Sequence, residues 1–262
     1  GDWSSDVCSS DLLTIKNLHM QFSGVVALDD VSFNVDKGEI FSLIGPNGSG
    51  KSTLFNCINR FNDPQKGQIV FEGHNLLKMQ PHQIMNAGIA RTFQNIQNVP
   101  FMTILDNILL GAHHRIDNRS TIQRWLSRKQ RQKEEAMGLE ILDLLGIANY
   151  ESKYMIGQPF GIQKLTEIAR ALVAKPKLIL MDEPAAGMND QETYEIAKII
   201  TEIRDDLGIT VLVVEHDMSL VMSISDRICV LDSGNILAIG EPEEVKNHPD
   251  VIKAFLGDPA DA

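Results

Sequence analysis

The sequence has few cysteines, no long apolar run and no excess of basic residues, and each shortage excludes a class of protein. Its three cysteines, Cys8, Cys57 and Cys229, lie far apart, so neither a disulfide framework nor a zinc knuckle is indicated, and we expect a reducing compartment. No apolar run approaches the roughly 20 residues that cross a bilayer. Because the formal net charge is −11, a broad surface for nucleic acid is not expected.

The first twelve residues, GDWSSDVCSSDL, do not read as part of a domain. They lack a start methionine and resemble the conceptual translation of a sequencing adapter. We therefore expect residues 1–12 to be a non-native leader, and the domain to begin near Leu13.

Apolar runs separated by turn residues predict a sheet of mainly parallel strands. The run IFSLI at residues 40–44 is followed by a glycine-rich loop, a stretch with helical apolar spacing and the strand-like run GQIVFEG. This order of strand, loop, helix and strand is one α/β unit. Further strand-like runs occupy residues 178–183, 210–217, 228–231 and 236–239, with helical segments between the first three, as in a mainly parallel sheet.

The middle of the chain has a different character, because strand signals are absent from residue 104 to residue 146. Apolar residues recur there at helical spacing, which predicts a helical subdomain over roughly residues 100–170. A basic stretch between Arg115 and Lys133 lies within it. A solvated helix face is favoured over a lipid or nucleic-acid contact for this stretch.

The strongest functional motif is GPNGSGKST, which follows the buried run at residues 40–44 and opens a helix. It matches the pattern G-x-x-x-x-G-K-[ST]. Small residues let backbone N–H groups wrap the β- and γ-phosphates of ATP, the helix N-terminus adds positive potential, and the lysine adds a full charge. Ser52 is expected to bind Mg²⁺. We predict that ATP is held by Gly45, Pro46, Asn47, Gly48, Ser49, Gly50, Lys51, Ser52 and Thr53.

Two acidic residues end the strand-like run LILMDE. Asp182 is predicted to hold Mg²⁺, and Glu183 to act as the general base on the attacking water. Taken alone, such a pair would reasonably be explained as a cap for the segment that follows. The lysine motif in the same sheet favours the functional interpretation, because ligands bind at the carboxyl ends of parallel strands.

Three further residues are candidates that also have structural explanations. His216, after the run TVLVVE, is placed to bind the γ-phosphate and orient the water, although a lone histidine is more often structural. Gln94 in ARTFQN is predicted to sense the γ-phosphate through Mg²⁺ and water, and it would otherwise be an ordinary polar loop residue. Phe22 is suited equally to stacking on adenine and to packing in the core.

Together these residues resemble the ABC-type ATPase family over nearly everything after Leu12. Phe22 corresponds to its adenine-stacking residue, GPNGSGKST to Walker A, Gln94 to the Q-loop, LILMDE to Walker B and His216 to the switch histidine. Within the family, IARTFQN, EIARAL and DEPAAGMN look like the ATPase subunits of branched-chain amino-acid importers.

The resemblance implies an α/β fold: a P-loop NTPase core, whose mainly parallel sheet has an antiparallel β portion, plus a helical subdomain. Residues 13–99 and 171–257 would form the core, residues 100–170 the helical subdomain and residues 258–262 a tail. It also implies a sandwich of two ATPase subunits, a docked transmembrane permease and, indirectly, an extracytoplasmic solute-binding protein. The implied location is the cytoplasmic face of the membrane, with ATP and Mg²⁺ as cofactors and no nucleic acid.

One motif departs from the family pattern. In place of Leu-Ser-Gly-Gly-Gln, or a tyrosine third, this chain has Gln158-Pro159-Phe160-Gly161-Ile162. The family's serine donates to the partner subunit's γ-phosphate through its hydroxyl and a neighbouring N–H, and proline has neither donor. We therefore expect this half-site to be weakened and a heterodimer to be favoured over a homodimer.

Several functions remain open from the sequence. The leading one is a transport-coupled, Mg²⁺-dependent ATPase of a branched-chain amino-acid importer. A second is a regulatory subunit that binds nucleotide and turns it over slowly, which is suggested by the altered signature. Urea or amide importers, which use similar ATPases, are a further alternative. A soluble ABC protein acting on DNA or ribosomes fits less well, because the chain has a single cassette and an acidic charge.

Overall fold

The computed structural model describes residues 10–92, 97–115 and 121–256, without the side chains of residues 113–115, 121–130 and 255–256. Gln94 and most of the expected leader lie outside these residues. The described strands are β1 (Asp11–Phe22), β2 (Val25–Asp36), β3 (Ile40–Ile44), β4 (Lys66–Phe71), β5 (His74–Asn75), β6 (Ile89–Arg91), β7 (Leu178–Asp182), β8 (Thr210–Val214), β9 (Arg227–Asp232) and β10 (Asn235–Gly240). The helices are α1 (Lys51–Ile58), α2 (Pro81–Ala87), α3 (Ile104–Leu109), α4 (Thr121–Leu144), α5 (Phe160–Leu172), α6 (Asp190–Asp205), α7 (Met218–Ile224), α8 (Pro242–Lys246) and α9 (Pro249–Leu256).

The larger sheet confirms the predicted mainly parallel arrangement. Its strand order is β10-β9-β3-β8-β7-β6, and every neighbouring pair is parallel except β9 with β10. Strands β3, β7 and β8 are buried along their whole length, as continuous apolar runs in a sheet covered on both faces should be.

The smaller sheet is antiparallel, with the order β2-β1-β4-β5. Helix α1 lies between the two sheets, because Leu54 and Phe55 share one buried cluster with Leu13 of the small sheet and Leu180 of the large one. Strand β1 begins at Asp11, two residues before the expected start of the domain, and Leu12 is buried in the same cluster.

The helical part packs on the opposite face of the large sheet. Ile104 in α3, Leu142 in α4 and Ile168 in α5 share a buried cluster with Ile179 and Val213. Alternate residues of β7 and β8 therefore face α1 on one side and these helices on the other. None of the helices in the described ranges is both long and apolar enough to span a bilayer.

Candidate active site

The carboxyl ends of four parallel strands meet at one edge of the large sheet. Gly45 follows β3, Arg91 ends β6, Asp182 ends β7, and Glu215 and His216 follow β8. The register aligns these ends, since Asp182 pairs with Val214 of the neighbouring strand. The fold thereby brings the candidate lysine loop, carboxylates and histidine to a common edge, where ligands bind in such sheets.

Two glycines give the loop after β3 its shape. Gly45 has φ +150°, and a Cβ there would lie 2.0 Å from the carbonyl oxygen of Leu231. Gly50 has φ +109°, and its Cβ would lie 2.5 Å from the carbonyl oxygen of Ala27. At both positions φ is positive and a carbonyl oxygen lies too close for a side chain, so other residues do not fit. Strands β2 and β9 therefore lie directly against the loop.

Lys51 is held inside this loop. Its side chain is buried, and Nζ donates to the carbonyl oxygens of Gly45 at 2.7 Å and Pro46 at 2.9 Å. Burial lowers the pKa of Lys51, and the carboxylates of Glu183 and Asp182 oppose that shift. A third acceptor of the ammonium, the hydroxyl of Ser49 at 3.4 Å, is neutral like the two carbonyls.

Helix α1 presents its positive end to the same space. Its N-cap, Gly50, supplies no capping side chain, and the first N–H groups of any helix have no partner within that helix. Ser52 is exposed and Thr53 half-buried in this first turn. Uncapped N–H groups together with the helix dipole favour an anion such as phosphate here.

Asp182 forms an ion pair that the sequence analysis missed. The Nη2 atom of Arg91 donates to Oδ2 of Asp182 at 2.8 Å, and the two side chains are only 9% and 8% exposed. The Nη1 atom of Arg91 donates to Oδ1 of Asn56 at 2.8 Å, and the guanidinium carbon lies 5.5 Å from the centre of the Phe55 ring. Arg91 thus connects the end of β7 with the helix that follows the lysine loop.

Glu183 and His216 form a second pair at this edge. The Nε2 atom of His216 lies 2.8 Å from Oε1 of Glu183, and both side chains reach solvent. Glu183 has φ +49°, a strained conformation for a residue with a side chain, and its backbone N–H donates to the carbonyl of Val214 at 2.9 Å. The sheet edge therefore holds Glu183 in a turn that aims its carboxylate at His216.

Glu215 supports the turns that follow β7 and β8, and its role was also missed from the sequence. It is buried, and its carboxylate accepts the N–H groups of Ala185 at 2.8 Å and of His216 at 3.1 Å. Burial raises the pKa of Glu215, and these backbone hydrogen bonds oppose the shift. The run TVLVVE ends in this acid, but the sequence does not reveal its backbone partner 30 residues away.

Phe22 lies at the solvent end of β1 and is 43% exposed, which does not fit a core residue. It pairs with Val25 across the hairpin formed by β1 and β2, and β2 carries Ala27, which touches the lysine loop at Gly50. An exposed ring on this hairpin is available for stacking.

The segment that departs from the family signature, residues 158–162, lies at the start of α5. Pro159 is its N-cap and makes no side-chain capping bond. Phe160 is exposed, while Ile162 is half-buried and packs against the helical cluster. This helix end thus presents an apolar ring and a proline where the family pattern has small and polar residues.

Comparison with known proteins identifies the family. The family model described as ABC transporter matches residues 28–186, more than half of the chain. This chain belongs to the ABC transporter family. A second model, described as branched-chain amino acid ATP-binding cassette transporter, matches residues 235–261.

Relatives in this family match almost the whole chain. The high-affinity branched-chain amino acid transport ATP-binding protein LivG of Escherichia coli strain K12 is 40% identical over 256 residues, covering 95% of this chain and 99% of LivG. The similarly described BraF of Pseudomonas aeruginosa strain PAO1 is 38% identical, with the same coverage. ATP-binding cassettes of this family are ATPases, and they bind nucleotide.

Solved structures agree with the fold. The ADP conformation of MJ1267, an ATP-binding cassette of an ABC transporter, is 33% identical, with a TM-score of 0.83 over 95% of this chain and 100% of that one. The structure of cbiO1 from Clostridium perfringens, part of the transporter complex cbiONQ, is 28% identical, with a TM-score of 0.79 over 94% of both chains. These structures confirm the predicted ABC cassette, a P-loop NTPase core with added helices.

Proposed function

We propose that this protein is the Mg²⁺-dependent ATPase subunit of an importer for branched-chain amino acids. The observation that carries the proposal is the meeting of Lys51, Asp182 and the Glu183–His216 pair at one sheet edge. Relatives named as branched-chain amino acid transport ATP-binding proteins support the choice of substrate.

In this proposal each group has one task. The α1 N-terminus and Lys51 bind the β- and γ-phosphates and stabilise the charge that develops during transfer. Glu183 accepts a proton from the attacking water, and His216, already within 2.8 Å of that carboxylate, orients the pair. Gln94 is proposed to contact Mg²⁺ and the water, and Phe22 to stack on adenine.

The oxygen donors of the site fit Mg²⁺. The hydroxyl of Ser52 and the carboxylate of Asp182 are hard ligands of the kind that Mg²⁺ prefers. In the part of the chain that the structure describes, there is no group of three or more acidic, histidine or cysteine side chains that would hold a metal alone. Mg²⁺ in such sites is commonly bound by a few protein oxygens together with phosphates, whose charge it would neutralise.

An exposed apolar surface suits a permease. Phe101 is 78% exposed, and it lies beside Tyr154 and Ile156, since the backbones of residues 100–102 and 155–156 are hydrogen-bonded. A cleft of about 420 Å³ is lined by Arg91 of β6, Arg170 of α5 and Gln97, among others. We propose that a permease segment binds this surface and holds the protein at the cytoplasmic face of the membrane.

The experiment is to co-purify the chain with its permease and second ATPase subunit and to measure ATP-driven uptake in proteoliposomes. Uptake of leucine, isoleucine or valine is expected, and uptake of urea or an amide alone would overturn the proposed substrate. Phe101→Asp should abolish co-purification of the permease. Tyr194→Asp is the matched control, because Tyr194 is equally exposed but lies on α6.

The signature segment favours a second candidate, a regulatory subunit with low turnover. Pro159 caps α5 without a hydroxyl or an N–H, so the partner's ATP would lose two donors. In that case hydrolysis would be slow at both nucleotide sites of the heterodimer. Near-normal turnover by the assembled complex would exclude this candidate.

A further inference from the structure

A single guanidinium links the two elements that carry the proposed Mg²⁺ ligands. Ser52 lies in the first turn of α1, and Asp182 ends β7. Arg91 donates one N–H to Asp182 at 2.8 Å and another to Asn56, on the second turn of α1, at 2.8 Å. The distance between the two ligands therefore depends on a side chain that belongs to a third element, β6.

Packing fixes the orientation of this guanidinium. Its side chain is almost fully buried, and its charge lies over the ring of Phe55, with 5.5 Å between the guanidinium carbon and the ring centre. A planar fork held in this way makes two bonds of fixed direction. Asp182 is thus restricted to one orientation, with Oδ2 engaged.

Lys51 is a second positive charge near Asp182. Lys51 begins α1 at the sheet edge where Asp182 ends β7, and opposite charges attract each other at short range. Without Arg91, a buried Asp182 would lose its partner, and turning toward Lys51 would be favourable. That movement would take a ligand from Mg²⁺ and the lysine from the phosphates.

We propose that Arg91 is a positioning residue for Mg²⁺, which holds Asp182 in register with Ser52 by bridging β7 and α1. The inference rests on the proposed function and deepens it. The positive charge of Arg91 opposes a nearby cation, but hydrogen-bonded outer partners of a metal ligand usually raise metal affinity, and losing one weakens binding about 10- to 100-fold. The orienting effect should therefore exceed the repulsion.

The test is binding of a fluorescent ATP analogue to the full chain, measured in EDTA and during a Mg²⁺ titration. Arg91→Gln should raise the half-saturating Mg²⁺ concentration at least tenfold, while affinity in EDTA changes less than about twofold. Arg91→Lys keeps the charge but not the fork, so its half-saturating concentration should lie between those of wild type and Arg91→Gln.

Arg227→Gln is the matched control. Arg227 also lies over a phenylalanine ring, with its guanidinium carbon 5.2 Å from the centre of Phe41, and also pairs with a carboxylate, Glu39. It starts β9, so it lies at the opposite edge of the sheet. Its substitution should leave the Mg²⁺ titration unchanged.

The outcomes separate the inference from the function on which it rests. An unchanged or lower half-saturating Mg²⁺ concentration in Arg91→Gln would overturn the inference, as would an equal loss of affinity with and without Mg²⁺. If Arg91→Gln does not fold, Arg91→Lys decides, and a titration identical to wild type overturns the inference. A wild-type protein that binds no nucleotide would overturn the proposed function itself.

Discussion

The chain contains two helix N-termini that the family pattern assigns to phosphate, and they are built differently. At α1, Gly50 caps the helix with φ +109° and Lys51 is buried against loop carbonyls. At α5, the N-cap is Pro159, and the exposed ring of Phe160 follows it. The α1 end combines an uncapped helix start with a buried lysine, and the α5 end lacks the hydroxyl and the N–H that a serine would have at position 159.

In our proposal, this difference determines which half of a shared site this chain completes. Lys51 begins α1, and the Glu183–His216 pair lies at the same edge of the large sheet, so we propose that this chain supplies most of the side chains of the nucleotide site there. The α5 end would serve the partner's nucleotide, where backbone N–H groups of its first turn remain but the side-chain donor does not. We therefore expect substitutions near α1 to have large effects and substitutions near α5 to have small ones.

The largest effect is expected for Glu183→Gln. Loss of a general base lowers kcat by about 10²- to 10⁴-fold, while affinity for ATP should be retained because Lys51 and α1 are untouched. Steady-state hydrolysis and nucleotide binding by the assembled complex measure the two quantities. The control is Glu202→Gln on α6, where Glu202 pairs with Lys198, and an effect of Glu183→Gln no larger than that of the control would contradict the assignment.

Lys51→Met should have the second-largest effect. It removes the buried ammonium but keeps a similar length, so the charge that develops on the phosphates loses one stabilising group, at a cost of about 10²- to 10³-fold in rate. Nucleotide affinity should also fall, which distinguishes this variant from Glu183→Gln. Lys198→Met, at an exposed position on α6, is the control, and normal binding by Lys51→Met would refute the role of the loop.

The double substitution Pro159→Ser with Ile162→Gln tests the α5 end by restoring two residues of the family signature. A restored hydroxyl and N–H that bind a charged phosphate are each worth about 1.5–3 kcal/mol, so hydrolysis of the partner's ATP, measured with this chain's own site inactivated by Glu183→Gln, should rise by about tenfold or more. Pro242→Ser, at the first position of α8, is the control for replacing a helix-start proline. Unchanged turnover in the repaired chain would mean that the α5 end is already functional.

The smallest effects concern two glycines. Gly45→Ala places a methyl group 2.0 Å from the carbonyl oxygen of Leu231, so the free energy of unfolding should fall by about 1–3 kcal/mol. Gly161→Ala meets nothing closer than 3.8 Å and has no positive φ, so it should raise the free energy of unfolding by up to about 1 kcal/mol. Urea denaturation measures both free energies of unfolding. Equal changes would contradict the expected difference between Gly45 and Gly161.

Much of the fold was predictable because it depends on local patterns. The runs that became β3, β7 and β8 are continuous and apolar, and the glycines of the loop mark backbone conformations that few other residues adopt. The three-residue strand β6 was not assigned, since a run of that length has no periodicity to detect. Its pairing with β7 comes from the tertiary structure.

The candidate site was predictable where a motif carries the chemistry within a few residues. Arg91 and Glu215 escaped detection because their roles depend on partners distant in sequence: Asp182, 91 residues from Arg91, and Ala185, 30 residues from Glu215. The motif ARTFQN contains Arg91, yet only the fold shows that its guanidinium reaches two other elements. Gln94, from the same motif, remains a prediction.

The central claim is that the nucleotide site built on α1 of this chain is the active one. Its most direct measurement is single-turnover ATP hydrolysis by the assembled complex, with Glu183→Gln in this chain or the equivalent substitution in the partner ATPase. The account predicts that Glu183→Gln removes most of the hydrolysis and that the partner's substitution removes little. Equal losses, or the larger loss from the partner's substitution, would contradict it.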